Sequence, residues 1–425
     1  MLELLHNRNF VLFWFASMFF ELGGMALQFV ISLYAYDLTG SAALFGFLLF
    51  IVIVPRLLIY PLAGVWADRY DRRLMMLLSA AIATIVLIVF TALHFLSDGL
   101  GVVHLFFLML GLEAGSIVFM STNMAVPPMI VTTEQLGAAN SLGILYSEFG
   151  YVAGQMIGAL LYGLIGFGVS LLYVLAAFLA SLIFMAFIHL PRLAVSFATR
   201  IARSGVLHEF VEGLRLVVKD GFLLRLLLLS PLINMLVVPV WDLILLFFAR
   251  GELGLSPIAY GIFSSLQSLA NIIMAPIVAK LYHDRWALQF VRISPLLIMA
   301  FMLLIALSML LAQTAPLAVV LALAFAGSSL VGVTTGIYVI GKNTFIQKQV
   351  AMGMQSRIFS LNRLMALLAL PLGNLVFGFV VEGFGTLAAI LVGGAGIALV
   401  YLVTRQLRLP DAQSAILSSD GRYIE

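Results

Sequence analysis

Four ionisable side chains fall near the mid-depth of long apolar runs of this chain: Glu21, Arg56, Glu113 and Glu148. A charge at membrane depth is costly, so such residues pair, titrate or line a path for a solute. Burial raises a carboxyl pKa and a nearby arginine lowers it, so an acid in such a layer can be tuned to take up and release a proton. At about 1.5 Å per helical residue, the four lie roughly 16, 12, 14 and 18 Å from the helix ends that the charge pattern assigns to the cytoplasm. They share one layer. Arg56 requires an acid, and Glu21, on the preceding antiparallel helix, is the expected partner. Glu113 and Glu148 then have no partner in excess of the single arginine and are the better proton carriers, with Glu21 the third candidate for proton coupling.

Polar residues recur at helical spacing beside these charges. Ser17, Glu21, Gly24, Gln28 and Ser32 fall three or four apart, and Ser141, Glu148, Tyr151 and Gln155 line one stripe of a second run; such stripes avoid lipid. In the second half of the chain the stripes read as neutral: Asn234, then Ser264, Gln267, Ser268 and Asn271, then Thr334, Thr335 and Tyr338, then Asn374. The expected substrate cavity is lined by Gln28, Arg56, Tyr151, Gln155, Asn234, Gln267, Asn271 and Tyr338. Its acidic wall favours cationic or neutral compounds, and Arg56 argues the other way.

Other chemistries find no support. The six histidines lie in loops or near span ends without a pair at ligand spacing, which argues against a metal site. Neither a phosphate-binding glycine loop nor a dinucleotide fingerprint is present, so no cofactor is expected and ATP coupling would need a partner protein. Without cysteine there is neither a disulfide nor a thiolate ligand.

The elements that must position these residues follow from composition. Hydrophobic residues make up 63% of the 425 positions and charged residues 10%, a balance no water-soluble fold can hide. Twelve apolar runs long enough to cross a hydrocarbon core of about 30 Å are expected at 10–36, 42–63, 74–96, 100–122, 136–163, 168–189, 222–248, 257–279, 288–311, 316–340, 358–380 and 386–404. None alternates with period two, so helices and not an outer-membrane barrel are expected. The first run follows Arg8 and lacks a small-residue cleavage site, so it reads as a retained span. With the amino terminus inside, every Lys and Arg except Arg56 and Arg250 falls on the cytoplasmic side, including the stretch from Lys342 to Arg363. Both termini are therefore expected in the cytoplasm, and the membrane to be a bacterial inner membrane.

The two halves resemble each other. Leu38, Ser41 and Gly46 recur as Leu253, Ser256 and Gly261; Asp68-Arg69 recurs as Asp284-Arg285; Ser141, Gly154 and Gly166 recur as Ser360, Gly373 and Gly385. Six spans per half is an even number, so the repeat is parallel. The expected domains are a first six-helix bundle at 1–190, a cytoplasmic linker at 191–221, a second bundle at 222–404 and a tail at 405–425. Leu207, Phe210, Val211, Leu214, Val217 and Val218 are spaced to make the linker an amphipathic interfacial helix.

Between the second and third spans the chain reads Gly64-Val65-Trp66-Ala67-Asp68-Arg69-Tyr70-Asp71-Arg72-Arg73. This loop resembles the signature of the major facilitator superfamily: Gly, three residues, Asp-Arg, one residue, Gly and two basic residues. The sequence departs at Asp71, where the superfamily usually has Gly. The Asp-Arg-Tyr-Asp-Arg-Arg form is similar to the macrolide-efflux-like branch of drug exporters. Asn7-Arg8-Asn9-Phe10, Tyr36-Asp37-Leu38-Thr39-Gly40-Ser41, Glu134-Gln135-Leu136 and Ala139-Asn140-Ser141 extend the likeness along nearly the whole chain. A second departure is Gly154-Gln155-Met156, where exporters of the superfamily commonly carry Gly-Pro.

The resemblance implies a conformational switch at Gly64, Asp68, Arg69, Arg72 and Arg73. Gly64 allows close helix approach, and Asp68 is placed to face the positive amino-terminal end of span eleven in one state. The function implied is secondary active transport by alternating access, exporting an amphipathic organic compound against protons. A lipid, lysophospholipid or siderophore carrier of the same superfamily is the alternative. A channel would need a continuous polar lining and an enzyme a nucleophile and base at membrane depth. The partners expected are the small substrate, protons and the bilayer, with no nucleic acid, and the protein is expected to act as a monomer.

Overall fold

A computed structural model of the chain describes residues 4, 6–53, 55–59, 70–97, 99–123, 126–132, 135–189, 221–281, 287–349, 352–405, 416–417 and 423–424. The fold is a helical membrane-transporter fold. Span one is Arg8–Thr39, span two begins as Ala42–Ile51, and spans three to six are Arg72–Leu96, Val102–Asn123, Leu136–Ile165 and Phe167–Ala186. Span seven opens as Gly221–Pro239, span eight is Pro257–Leu281, span nine Ala287–Leu310 and span ten Leu317–Gln349. Spans eleven and twelve run as Met352–Arg405, interrupted at Gly385. Ten helices among the described residues are long and apolar enough to cross a membrane. Gly385 divides one of them, and Pro257–Leu281 adds another, which accounts for the twelve expected. A two-residue strand pair, Ile416–Leu417 with Tyr423–Ile424, lies in the tail.

Local chemistry sets the ends of these helices. Asn7 caps span one by accepting the Phe10 amide at 3.2 Å, and Gly40 ends it in the left-handed region at φ 58°. Among the described residues, all the positive-φ glycines but Gly99 form repeat pairs: Gly40 with Gly254, and Gly166 with Gly385. A side chain at φ 95° or 83° would be strained, so Gly166 and Gly385 are where each half turns from its fifth span to its sixth. Span seven departs from the α-helix. After Pro239, Val240–Ile244 is π-helical, as is Phe248–Glu252. Proline supplies no amide and crowds the preceding carbonyl, which favours such a widening.

The polarity of the helices is inverted relative to a soluble protein. Span three buries Ser79, Ala80, Ala83, Thr84 and Thr91 and turns Leu78, Ile82, Ile85 and Val89 outward. Small residues meet helices and large apolar ones meet lipid, because in a bilayer close packing and not hydrophobicity joins helices.

The chain separates into two compact units. The first comprises Met1–Ser41, Ile51–Arg203 and Leu255–Leu266. Its core stacks Phe20 on Phe119 and Phe178, with ring centroids 3.7 and 5.1 Å apart. The second comprises Ala42–Phe50, Ser204–Gly254 and Gln267–Glu425. In it, a Cβ at Gly373 would approach the Met235 carbonyl to 2.4 Å and one at Gly327 the Phe301 carbonyl to 2.9 Å, so backbones touch there. The start of span two therefore belongs with the second unit and the start of span eight with the first. The expected linker lies outside the described residues, apart from Gly221.

Candidate functional site

Glycine spacing explains how span five meets span one. Gly150, Gly154 and Gly158 stand four apart, and a Cβ at Gly154 would come within 2.8 Å of Met25 Cβ and 2.9 Å of the Ala26 amide. At Gly158 it would lie 2.8 Å from the Ala26 carbonyl. Gly150 sits on Glu21 itself, its missing Cβ 3.0 Å from Glu21 Cγ. Glu148 stands two residues earlier on the same helix and is exposed.

A neutral network lies one turn from Glu21. Ser17 Oγ donates to Asn123 Oδ1 at 2.9 Å, and Asn123 Nδ2 donates to the Tyr146 hydroxyl at 2.9 Å. Spans one, four and five are thereby pinned together.

Arg56 does not pair with Glu21. Its Nε lies 2.6 Å from Glu113 Oε1, with the two side chains 25% and 21% exposed. The expectation from sequence depth alone is corrected: spans two and four come together here, while the glycine face of span five occupies Glu21. Glu113 is likewise not the partnerless acid it was expected to be.

The expected cavity residues divide between the units. In the first, Gln155 is buried and its Oε1 accepts from Ser264 Oγ at 2.8 Å, while Gln28 and Tyr151 are exposed. In the second, Asn234 is half-buried. Gln267 Nε2, Asn271 Oδ1 and the Tyr338 hydroxyl are buried without hydrogen-bond partners among the described residues. Buried polar atoms of this kind gain most from a polar ligand.

Of the loop motif, Gly64, Asp68 and Arg69 lie outside the described residues, as does the expected approach of Asp68 to span eleven. Asp71 caps span three, its Oδ1 accepting the amides of Arg73 at 2.8 Å and Leu74 at 3.2 Å. That gives the departure from the usual glycine a physical reason. Arg72 is half-buried. Arg73 donates through Nη2 to the Ala186 carbonyl, tying the start of span three to the end of span six.

Two charged residues of the second unit were missed as site residues. Asp242 stands in the π-helical turn after Pro239 and accepts from Asn374 Nδ2 at 3.0 Å. It falls within the expected span 222–248, so the second half was wrongly taken as neutral. Lys342, assigned from sequence to a cytoplasmic stretch, is only 4% exposed, because span ten continues to Gln349. Its amine donates to Ser230 Oγ at 2.6 Å and to Asn362 Oδ1. Among the described residues no group of three or more His, Cys, Asp or Glu could hold a metal.

This arrangement matches known proteins in fold and family. The Major Facilitator Superfamily profile matches residues 13–374. Among solved structures, the chain is similar to the nucleoside transporter NupG, with TM-score 0.71 and 14% identity over 94% of this chain and 99% of that one. It is also similar to a bacterial homologue of the iron transporter ferroportin in an inward-facing state, with TM-score 0.65 and 18% identity over 93% and 98% of the two chains. A POT family transporter in complex with 5-aminolevulinic acid gives TM-score 0.68 and 13% identity over 93% and 95%. At these identities the likeness speaks for the fold. No curated protein matches the sequence. With its family profile covering most of the chain and its helices threading the bilayer many times, the protein belongs to the major facilitator superfamily and is a multi-pass membrane transporter.

Proposed function

We propose that the protein is a secondary active transporter that exports an amphipathic organic compound, drug-like or macrolide-like, in exchange for protons. The observation that carries this reading is the carboxylate of Glu21, set inside span one against the glycine face of span five, the helix that also carries Glu148. Carboxylates inside spans can change their proton load as the protein alternates between states. Glu113, tied to Arg56, contributes through that ion pair. Gln28, Tyr151 and Gln155 in the first unit, and Asn234, Gln267, Asn271 and Tyr338 in the second, are the groups proposed to meet the substrate.

The switch residues Gly64, Asp68, Arg69, Arg72 and Arg73 are proposed to set the exchange between states. We place the protein as a monomer in a bacterial inner membrane with both termini inside, on the strength of the charge distribution. The solved structures it resembles are a nucleoside transporter, a bacterial homologue of an iron transporter and a POT family transporter in complex with 5-aminolevulinic acid, three unlike chemistries, so the choice of substrate class rests on the loop motif and the carboxylates.

Flux of a compound panel in proteoliposomes, with and without an imposed pH gradient, tests the reading. Saturable accumulation that collapses with the gradient is expected. Gradient-independent flux of every compound would reject proton coupling, and non-saturable flux would favour a channel. Cysteine labelling, clean on this cysteine-free chain, tests the orientation: a cysteine at position 204 should react only from the cytoplasmic side.

A further inference from the structure

The two halves of the chain hold their spans with the same polar device, and one of the two carries an extra charge. In the first half Asn123 on span four bonds Ser17 on span one and Tyr146 on span five. In the second, Lys342 on span ten bonds Ser230 on span seven and Asn362 on span eleven. Each residue lies within about one helical turn of its counterpart under the sequence repeat. A neutral amide therefore suffices to pin three such helices, and the ammonium of Lys342 is not needed for architecture.

Among the described residues no acid balances that ammonium. Lys342 is 4% exposed, and its described partners are neutral oxygens. Asn362 is itself buried and directs its Nδ2 to the Leu227 carbonyl at 3.2 Å, which leaves its Oδ1 for the lysine. Tyr338, one turn before Lys342 and 1% exposed, buries a hydroxyl that has no hydrogen-bond partner among the described residues. An ammonium buried with no opposite charge beside it is costly to hold. An ammonium with a donor proton to spare, one turn from an unused phenol hydroxyl on the same helix, offers two donors on one helix face, and an oxyanion accepts from donors of this kind.

We propose that Lys342 and Tyr338, held by Ser230 and Asn362, form an acceptor for a single oxyanion, a carboxylate or phosphate ester, on an amphipathic molecule. The substrate class is thereby narrowed to compounds with an anionic group, against the cationic or neutral preference suggested by the acids of the first half. The proposal rests on the transport reading only for what the bound amphiphile is.

The test is equilibrium binding of dansyl-labelled undecanoic acid and of its carboxamide to the full chain in phosphatidylcholine nanodiscs, with empty nanodiscs as the blank and no pH gradient. The acid should bind about tenfold more tightly than the amide, the low end of what a charge-assisted hydrogen bond supplies. Lys342→Asn, which copies the first half, should remove that difference while leaving amide binding unchanged, and Lys342→Arg should keep most of it. Tyr338→Phe, which deletes one hydroxyl and no packing, should weaken acid binding severalfold and serves if Lys342→Asn fails to fold. Competition by added phosphatidylglycerol would identify the anion as a lipid headgroup, and persistence of the preference would identify it as solute. Equal binding of acid and amide by the unmodified protein, or an acid preference unchanged in Lys342→Asn and in Tyr338→Phe, overturns the proposal. Because no flux is measured, failure of proton-driven export would leave this result standing, and the reverse also holds.

Discussion

The guanidinium of Arg56 meets the carboxylate of Glu113 at 2.6 Å, joining the second span to the fourth within one unit. Removing one member leaves an unpaired charge at membrane depth, whereas removing both leaves none. Arg56→Gln and Glu113→Gln should each lower the thermal stability of the purified protein, by about 1–3 kcal/mol given that both side chains keep some exposure. The double variant should recover part of that loss. A double-mutant cycle with Glu21 in place of Glu113 should be additive, because Glu21 lies elsewhere.

Glu21 and Glu148 form the second relationship to test. Glu148→Gln or Glu21→Gln keeps shape and removes a titrating group, so pH-driven accumulation should be lost while counterflow of substrate stays measurable. Full accumulation in both single variants would remove the pair from the coupling mechanism.

Glu382 accepts the Ala42 amide at 2.7 Å and approaches that of Ala43 at 3.4 Å, so a carboxylate of span eleven sits on the positive end of span two. Four residues before Glu382, a Cβ at Gly378 would come within 2.7 Å of the Ala42 carbonyl, and one at Gly46 within 2.4 Å of the Asn374 carbonyl. Glu382→Gln should cost about 0.3–1 kcal/mol, an exposed charge on a helix end. Gly378→Val should do far more, since backbone cannot yield, and is expected to abolish folded protein on size-exclusion chromatography.

Asp71 makes a graded prediction. Replacing an N-cap acid by alanine costs about 1 kcal/mol, and by glycine only a few tenths. Asp71→Ala should therefore lower the melting temperature measurably, whereas Asp71→Gly, the residue usual at this position of the family motif, should scarcely change it. Equal losses would mean that the cap seen at Arg73 and Leu74 contributes nothing.

How far these features could be read without coordinates depended on the range of the interactions involved. Apolar run length, the basic flanks, the glycine turns at Gly166 and Gly385 and the loop from Gly64 to Arg73 are local or periodic in the chain. The helices, their repeat and the family were therefore legible from residue order. Helix ends were less so: span ten continues to Gln349 because Ser230 and Asn362, from spans seven and eleven, bond Lys342 and let the helix keep a charge that hydropathy assigns to water.

Partner choice was the least legible. Depth counted along a helix says how far in Glu21, Arg56 and Glu113 lie but not which way each points. Rotation of a span about its own axis is set by close packing with its neighbours. The glycines of span five claim the Glu21 face of span one, and Arg56 is left to Glu113. Asp242 shows the same limit from another side. Its residue type was visible inside the seventh span, but the π-helical turn after Pro239 that presents it to Asn374 arises from packing across spans, which no single stretch of sequence contains.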